Sequence, residues 1–281
     1  LIGLALIASI RGHYSDATAI AEKTLHRNEA LGNLSNQAYA FYVLTGINLA
    51  QGQYQQACEF GERAVAMTEQ VQDRWLQAYC LIELGNVARA LGNDETASRH
   101  YQASYAIREM FHDPEGMAVA LNHLGQLALR RLDLAEAERL YRQSLAIYEE
   151  VHDQGGLATT LHGLGQVALA RGDYQACHDY LRRALHTASL IDYVPLLFAI
   201  LLTVADQRLQ SGRTEEGLQL LALIRQHPSS NQETKDQAAQ MLTDHGARDR
   251  DSASISVPEH EAPDDLTVVV LAVQEDLSRP A

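Results

Sequence analysis

Apolar and small residues recur at helical spacing along most of the chain, and the pattern returns every forty residues. Leu121 to Glu149, LNHLGQLALRRLDLAEAERLYRQSLAIYE, comes back as LHGLGQVALARGDYQACHDYLRRALHTAS. Leu121, Leu124, Leu127 and Ala128 mark one helical face, and Ala137, Leu140, Tyr141, Leu145 and Tyr148 mark a second. Two helices and a turn form one unit, and a fixed period of this length predicts an array of stacked units.

The turn sets the register. Gly12, Gly52, Gly92, Leu132, Gly172 and Gly212 lie forty apart. Glycine there lets the chain leave one helix through a left-handed conformation. Leu132 departs from the rule and predicts an altered turn. Tyr14, Tyr54, Leu134 and Tyr174 follow two residues later, as plugs between the helices. Small residues form two more rows, Ala5, Thr45, Gly85, Gly125, Gly165, Ala205 and Ala17, Ala57, Ala97, Ala137, Cys177, Gly217. These rows predict close helix crossings. The first helices are expected over 1–11, 37–51, 77–91, 117–131, 157–171 and 197–211. The second are expected over 14–28, 54–70, 94–110, 134–150, 174–189 and 214–226. Asn33, Asp73, Asp113 and Asp153 stand at the joints between units, where each caps the following helix. Pro114 suits a first helical position.

The predicted fold class is all-α, an α-α superhelix of about six helical hairpins with a C-terminal partly disordered tail. Residues 1–228 form the array. Residues 229–246 supply a capping helix, centred on Thr234 to Thr243, because a final unit otherwise exposes its packing face. Residues 247–281 form an acidic linker with one strand, Leu266 to Val273, since LTVVVLAV is apolar and β-branched.

Composition narrows the function classes. The net charge is −14 and no basic stripe is visible, which argues against direct nucleic-acid binding. Cys58, Cys80 and Cys177 are odd in number and widely spaced, so neither a disulfide framework nor a zinc site is expected and a reducing, cytoplasmic setting is. The apolar start LIGLALIASI is too short to span a bilayer, and no membrane association is expected. Because the chain starts at Leu1 inside a helical pattern, it is expected to be part of a longer protein. No metal motif, phosphate cradle or catalytic arrangement is present at a supporting spacing, so the reading assigns no enzyme activity and no cofactor.

GLGQVALARGDYQACHDYLRRAL (Gly163 to Leu185) resembles the tetratricopeptide repeat, a helix-turn-helix of thirty-four residues. The longer forty-residue form resembles repeats in large bacterial signalling and transcriptional regulators, and the likeness covers roughly residues 1 to 226. It implies a sensor or scaffold arm whose partners are a protein, a peptide or other domains of the same parent chain. A small-ligand-sensing arm is the alternative. The family also includes arrays that clamp a terminal carboxylate. Here the inward rows carry amides and few cations, chiefly Arg89 and Arg130. DDLTVVVLAV resembles the last metal-binding Asp and strand of metal-dependent phosphatases, which would give Asp265 a metal, but nothing else of such an enzyme is present.

The first helices are expected to line the concave face. Register places Asn86, Gln126, Gln166 and Asp206 in one inward row, with Asn122 and His162 in a neighbouring row and Tyr42, Tyr79 and Arg130 nearby. Amides at regular spacing suit the backbone of an extended peptide, because each offers both a donor and an acceptor.

Overall fold

The computed structural model describes residues 2–245 and 266–278. Six hairpins follow one another: α1 (Ile2–Ile10) with α2 (Tyr14–Ala30), α3 (Leu34–Ala50) with α4 (Tyr54–Gln70), α5 (Arg74–Ala90) with α6 (Asp94–Met110), α7 (Pro114–Arg130) with α8 (Leu134–Val151), α9 (Gln154–Ala170) with α10 (Tyr174–Leu190), and α11 (Val194–Gln210) with α12 (Thr214–Gln226). Two further helices are α13 (Gln232–Asp244) and α14 (Leu266–Asp276). Each helix packs on its hairpin partner and on the next hairpin, which is the contact pattern of an α-solenoid.

The turns obey a shorter period than the hairpins. A left-handed residue occurs every twentieth position from Gly12 to Gly212, and Gln72, His112, Leu132, His152 and Asp192 adopt it as well as the glycines. At Gly92 the amide donates to the Arg89 carbonyl at 3.0 Å, and Asn93 N–H donates to the Ala88 carbonyl at 2.8 Å. This pair of bonds satisfies carbonyls that a helix end leaves open. Leu132 has φ 60° and makes the matching bonds, so the turn expected to change there is the same turn.

The residue after each left-handed position often caps the next helix. Asp73 accepts from Leu76 N–H at 2.9 Å, Asp113 from Gly116 N–H at 3.1 Å, and Asp153 from Gly155 and Gly156 N–H, both at 3.0 Å. The inner helices therefore start about three residues before the expected boundaries. The small rows are buried as expected: Ala97 and Ala137 are fully enclosed, and a Cβ on Gly85 would enter the Tyr101 ring. Tyr14 is buried, whereas Tyr174 is 38 % exposed.

The tail corrects one expectation. Leu266 to Val273 lies in helix α14, not a strand. Val269, Val270, Val273 and Leu277 recur along one side and are buried in the core of the last two hairpins. Asp276 accepts from Arg208 at 2.8 Å and from Arg213 at 2.9 Å. Burial of this apolar side overrides the weak helix preference of valine. Residues 247–265 of the expected linker, Asp265 included, lie outside the described residues.

The segment after α12 crosses the curve of the array. A Cβ on Gly12 would lie 2.7 Å from Ser229 Cβ, and one on Gly52 would lie 2.6 Å from Gln232 Cγ. The end of the solenoid thus meets the turns of its first two hairpins. Helix α13 stands where the capping helix is expected, with Ala238 and Leu242 buried in the same core as α11 and α12.

Candidate functional site

Helices α3, α5, α7, α9 and α11 form the inner wall. Their inward faces enclose a cavity of roughly 500 Å³ whose lining includes Asn86, Arg89, Asn122, His123, Gln126, His162 and Gln166. Asn231 and Glu233, from the crossing segment, complete it. Five of the six expected site residues are brought together here. Asp206 is not among the lining and accepts a hydrogen bond from Gln210 at 3.0 Å on its own helix.

Most of these groups already hold partners inside the protein. Asn122 Nδ2 donates to Thr160 Oγ1 at 2.8 Å, and Ser144 Oγ donates to the Ala118 carbonyl at 3.0 Å beside it. His162 Nε2 lies 2.8 Å from Thr203 Oγ1, and Gln166 Nε2 donates to that hydroxyl at 3.5 Å. Tyr101 OH donates to Asn86 Oδ1 at 2.9 Å, while Asn86 Nδ2 donates to Glu83 at 3.4 Å. Asn122 and His162 are both buried. Gln126 makes no hydrogen bond among the described residues and is the free amide of the row.

Arg89 is the charged centre of the cavity. Its two terminal nitrogens donate to the Glu233 carboxylate at 2.6 and 3.0 Å, a bidentate pair across 144 positions of sequence. Burial alone would raise the Glu233 pKa, but the Arg89 hydrogen bonds and charge bring it below its ordinary value. Arg89 Nε is buried without a partner among the described residues. Sequence reasoning names Arg89 only as a stray cation, because nothing in the repeat register links it to Glu233.

Burial also keeps the two inner histidines neutral, lowering His123 to about 3 and His162 to about 4. Glu83 moves the other way. Burial raises its carboxyl to about 7, against weaker lowering by Asn86 and Arg89. Its counterparts in the other hairpins are Gly3, Val43, His123, Gly163 and Thr203, so Glu83 is the one acid of its row.

A second cavity, about 530 Å³, opens between the starts of α3 and α5. Tyr39, Tyr42, Trp75 and Tyr79 form its walls, with Asp73 at the edge. The Tyr39 and Tyr42 rings are 5.7 Å apart, and the Tyr42 and Tyr79 rings 5.9 Å. Behind them Arg108 lies 4.5 Å from the Trp75 ring and 3.9 Å from the Tyr79 ring, and it pairs with Asp113 at 2.9 Å. The sequence signal for this groove is a departure from the repeat: Trp75 stands where other hairpins carry Ser35, Glu115, Gly155 and Pro195.

Among the described residues no helix is long and apolar enough to cross a membrane, and no group of three or more His, Cys, Asp or Glu is placed to hold a metal ion.

The tetratricopeptide repeat family model matches residues 39–110 and 116–188. No curated protein matches the chain significantly in sequence. In structure the chain is similar to BtubC (BKLC) from P. vanneervenii, with a TM-score of 0.56, 15% identity, and coverage of 81% of this chain and 92% of that one. It is also similar to nearly identical TPR-like repeats from a Podosopora anserina protein likened to kinesin light chain, with a TM-score of 0.46, 18% identity, and coverage of 74% and 95%. The chain belongs to the tetratricopeptide repeat family, whose repeats generally mediate protein–protein interaction.

Proposed function

We propose that this chain is a non-catalytic protein–protein interaction scaffold, serving as the sensor or scaffold arm of a larger bacterial regulatory protein. The observation that carries the reading is the unbroken array of six hairpins, which presents inner side chains at fixed spacing along one curved wall. A protein or peptide, including another domain of the same parent chain, is the partner that such a wall suits. The three cysteines, all free thiols, support a cytoplasmic setting.

A second reading is favoured by one feature. The inner cavity is walled by Asn86, Gln126 and Gln166 and crossed by Asn231 and Glu233, as a small-ligand-sensing arm would require. Affinity capture from a bacterial lysate with the full chain separates the two. The control replaces Asn86, Gln126 and Gln166 together by Ala. A protein bound by the parent and lost from the variant, at equal helicity, supports scaffolding. A co-purifying small molecule with no protein supports ligand sensing and rejects scaffolding.

A further inference from the structure

We infer that the inner cavity binds a small, uncharged, polyhydroxylated molecule, held by the Tyr141 and Tyr148 hydroxyls and the Gln126 amide. This deepens the ligand-sensing reading and rests on it, by naming the class of ligand.

Two neighbouring hairpins treat equivalent groups differently. In the first, Tyr101 OH donates to Asn86 Oδ1 at 2.9 Å, and His123 stacks on the Tyr101 ring at 4.8 Å. Forty residues on, the corresponding positions hold Tyr141, Gln126 and Gly163. Glycine removes the imidazole, and the Tyr141 ring lies against bare backbone: a Cβ on Gly163 would fall 2.4 Å from Tyr141 Cζ. The bond that Tyr101 makes with Asn86 is not made between Tyr141 and Gln126, and neither group has another hydrogen-bond partner among the described residues. Two turns further along α8, Tyr148 repeats the arrangement. A Cβ on Gly156 would fall 2.3 Å from Tyr148 Cζ, and the Tyr148 hydroxyl is equally without a partner among the described residues. Tyr141 and Tyr148 are only 3 % and 2 % exposed, yet both line the cavity and neither hydroxyl is sealed off. The hydroxyl is therefore the part of each side chain that meets the cavity.

The state of the remaining lining selects the occupant. Arg89 holds Glu233, Asp153 accepts from two backbone amides of α9, and burial keeps His123 and His162 neutral. An anion or a cation entering here loses its hydration and meets no free counter-charge. A hydroxyl group fits the open pair. It accepts from Tyr141 O–H and donates to Gln126 Oε1, restoring through one inserted group the bond that Tyr101 makes directly. Tyr141 and Tyr148 stand about 10 Å apart along the helix axis, so a ligand that touches both carries more than one hydroxyl. The volume of roughly 500 Å³ falls in the range of about 300–1,000 Å³ usual for small-molecule sites. A peptide suits the space less well, because Asn231 and Glu233 of the crossing segment already run through it.

The full chain is titrated in a calorimeter with glycerol, sorbitol, myo-inositol, glucose and sucrose, and with gluconate and glucosamine as charged counterparts. The expected result is saturable heat with at least one neutral member and none with the charged ones. Tyr141→Phe and Tyr148→Phe each weaken that binding by roughly tenfold, the value of one hydrogen bond left unmade. Neither variant shifts the urea midpoint of the free protein, because neither hydroxyl has a partner to lose. Tyr174→Phe, outside the cavity, leaves binding unchanged. Absence of saturable heat, as from a cavity holding water alone, overturns the proposal, and so does an affinity unchanged in Tyr141→Phe. Lysate capture separates this failure from failure of the ligand-sensing reading. A charged member that binds and is lost in Tyr141→Phe, or a co-purifying small molecule without panel heat, ends the uncharged assignment and leaves ligand sensing standing. Neither panel heat nor a co-purifying small molecule removes both.

Discussion

The two halves of the inner wall solve different problems with one repeat. From α3 to α5 the wall is aromatic and acidic, with Trp75 and Tyr79 exposed at the surface and a Glu83 carboxyl that makes no ion pair among the described residues. From α7 to α11 it is small and amide-rich. Gly156 and Gly163 make room for Tyr148 and Tyr141, and Asn122, Thr160, His162 and Thr203 spend their hydrogen bonds on one another. The crossing segment then pins Arg89 between the halves. The first half retains an acid without an ion pair, and the second has used its capacity to hold itself together except at Gln126, Tyr141 and Tyr148. A buried polar group that is satisfied specifies a fold, while an unsatisfied one is available to a ligand.

Filling the tight half gives the largest expected effect. Gly156→Leu, which installs the residue present as Leu76 and Leu196 in other hairpins, drives a side chain into the Tyr148 ring and costs about 3 kcal/mol in thermal unfolding. Next comes the pin. Glu233→Ala leaves the buried Arg89 guanidinium unpaired and costs about 2 kcal/mol, and hydrogen exchange quickens through residues 229–244. Urea unfolding of a Glu233→Gln variant locates the same loss, provided that loss fades at low pH. The Glu233 carboxyl is depressed, so its stabilisation holds above the ordinary carboxylate range and disappears as pH falls through the folded value.

The halves also differ in the sign of their pH dependence. Folded Glu83 takes up its proton near 7 rather than 4.5, so the stability it contributes is full below pH 4.5 and is lost as pH rises through 7. His123 and His162 stay neutral down to about 3 and 4 rather than 6.5, so their stability is full above pH 6.5 and is lost as pH falls toward those values. Glu83→Gln is therefore expected to gain about 2 kcal/mol at pH 8 relative to pH 5, and His162→Gln to gain a similar amount at pH 5 relative to pH 8. Matching shifts in both variants would erase the contrast. The smallest effect is in the open half: an added Cβ on Gly46 meets the Glu83 carboxyl at ordinary contact distance, so Gly46→Ala stabilises α3 by up to about 1 kcal/mol.

How much of this was legible depends on distance along the chain. The hairpins and the small-residue crossings follow a period of forty, and a period survives in a single sequence. The half-period of the turns was hidden, because Gln72, His112, Leu132, His152 and Asp192 carry no mark of a left-handed conformation. LTVVVLAV reads as a strand by local preference, and only its burial against the last hairpins makes it helix α14. The inward placement of Asn86, Gln126 and Gln166 was readable from register, but Asp206 was placed in the same row and lies outside the lining, and the expected face was an open groove rather than a cavity. Hydrogen-bond partners were not readable: Asn122 and Thr160 lie 38 positions apart, and Arg89 and Glu233 lie 144 apart. Tyr42 and Tyr79 were visible as neighbours of the wall, but Trp75 and Glu83 stand out only when each hairpin is compared with the others and the exceptions are read as information.

The contact of Ser229 with the turn at Gly12 changes what kind of object the array is. An open solenoid behaves like a stack of coins, which accepts one more or one fewer without complaint. Here the segment after the sixth hairpin touches the turns of two hairpins at the far side of the curve. Adding or excising one forty-residue unit would leave every remaining crossing intact and still unfasten Glu233 from Arg89. The number of units between Arg89 and Glu233 is therefore set by this contact, and that spacing is as much a specified part of the molecule as any side chain.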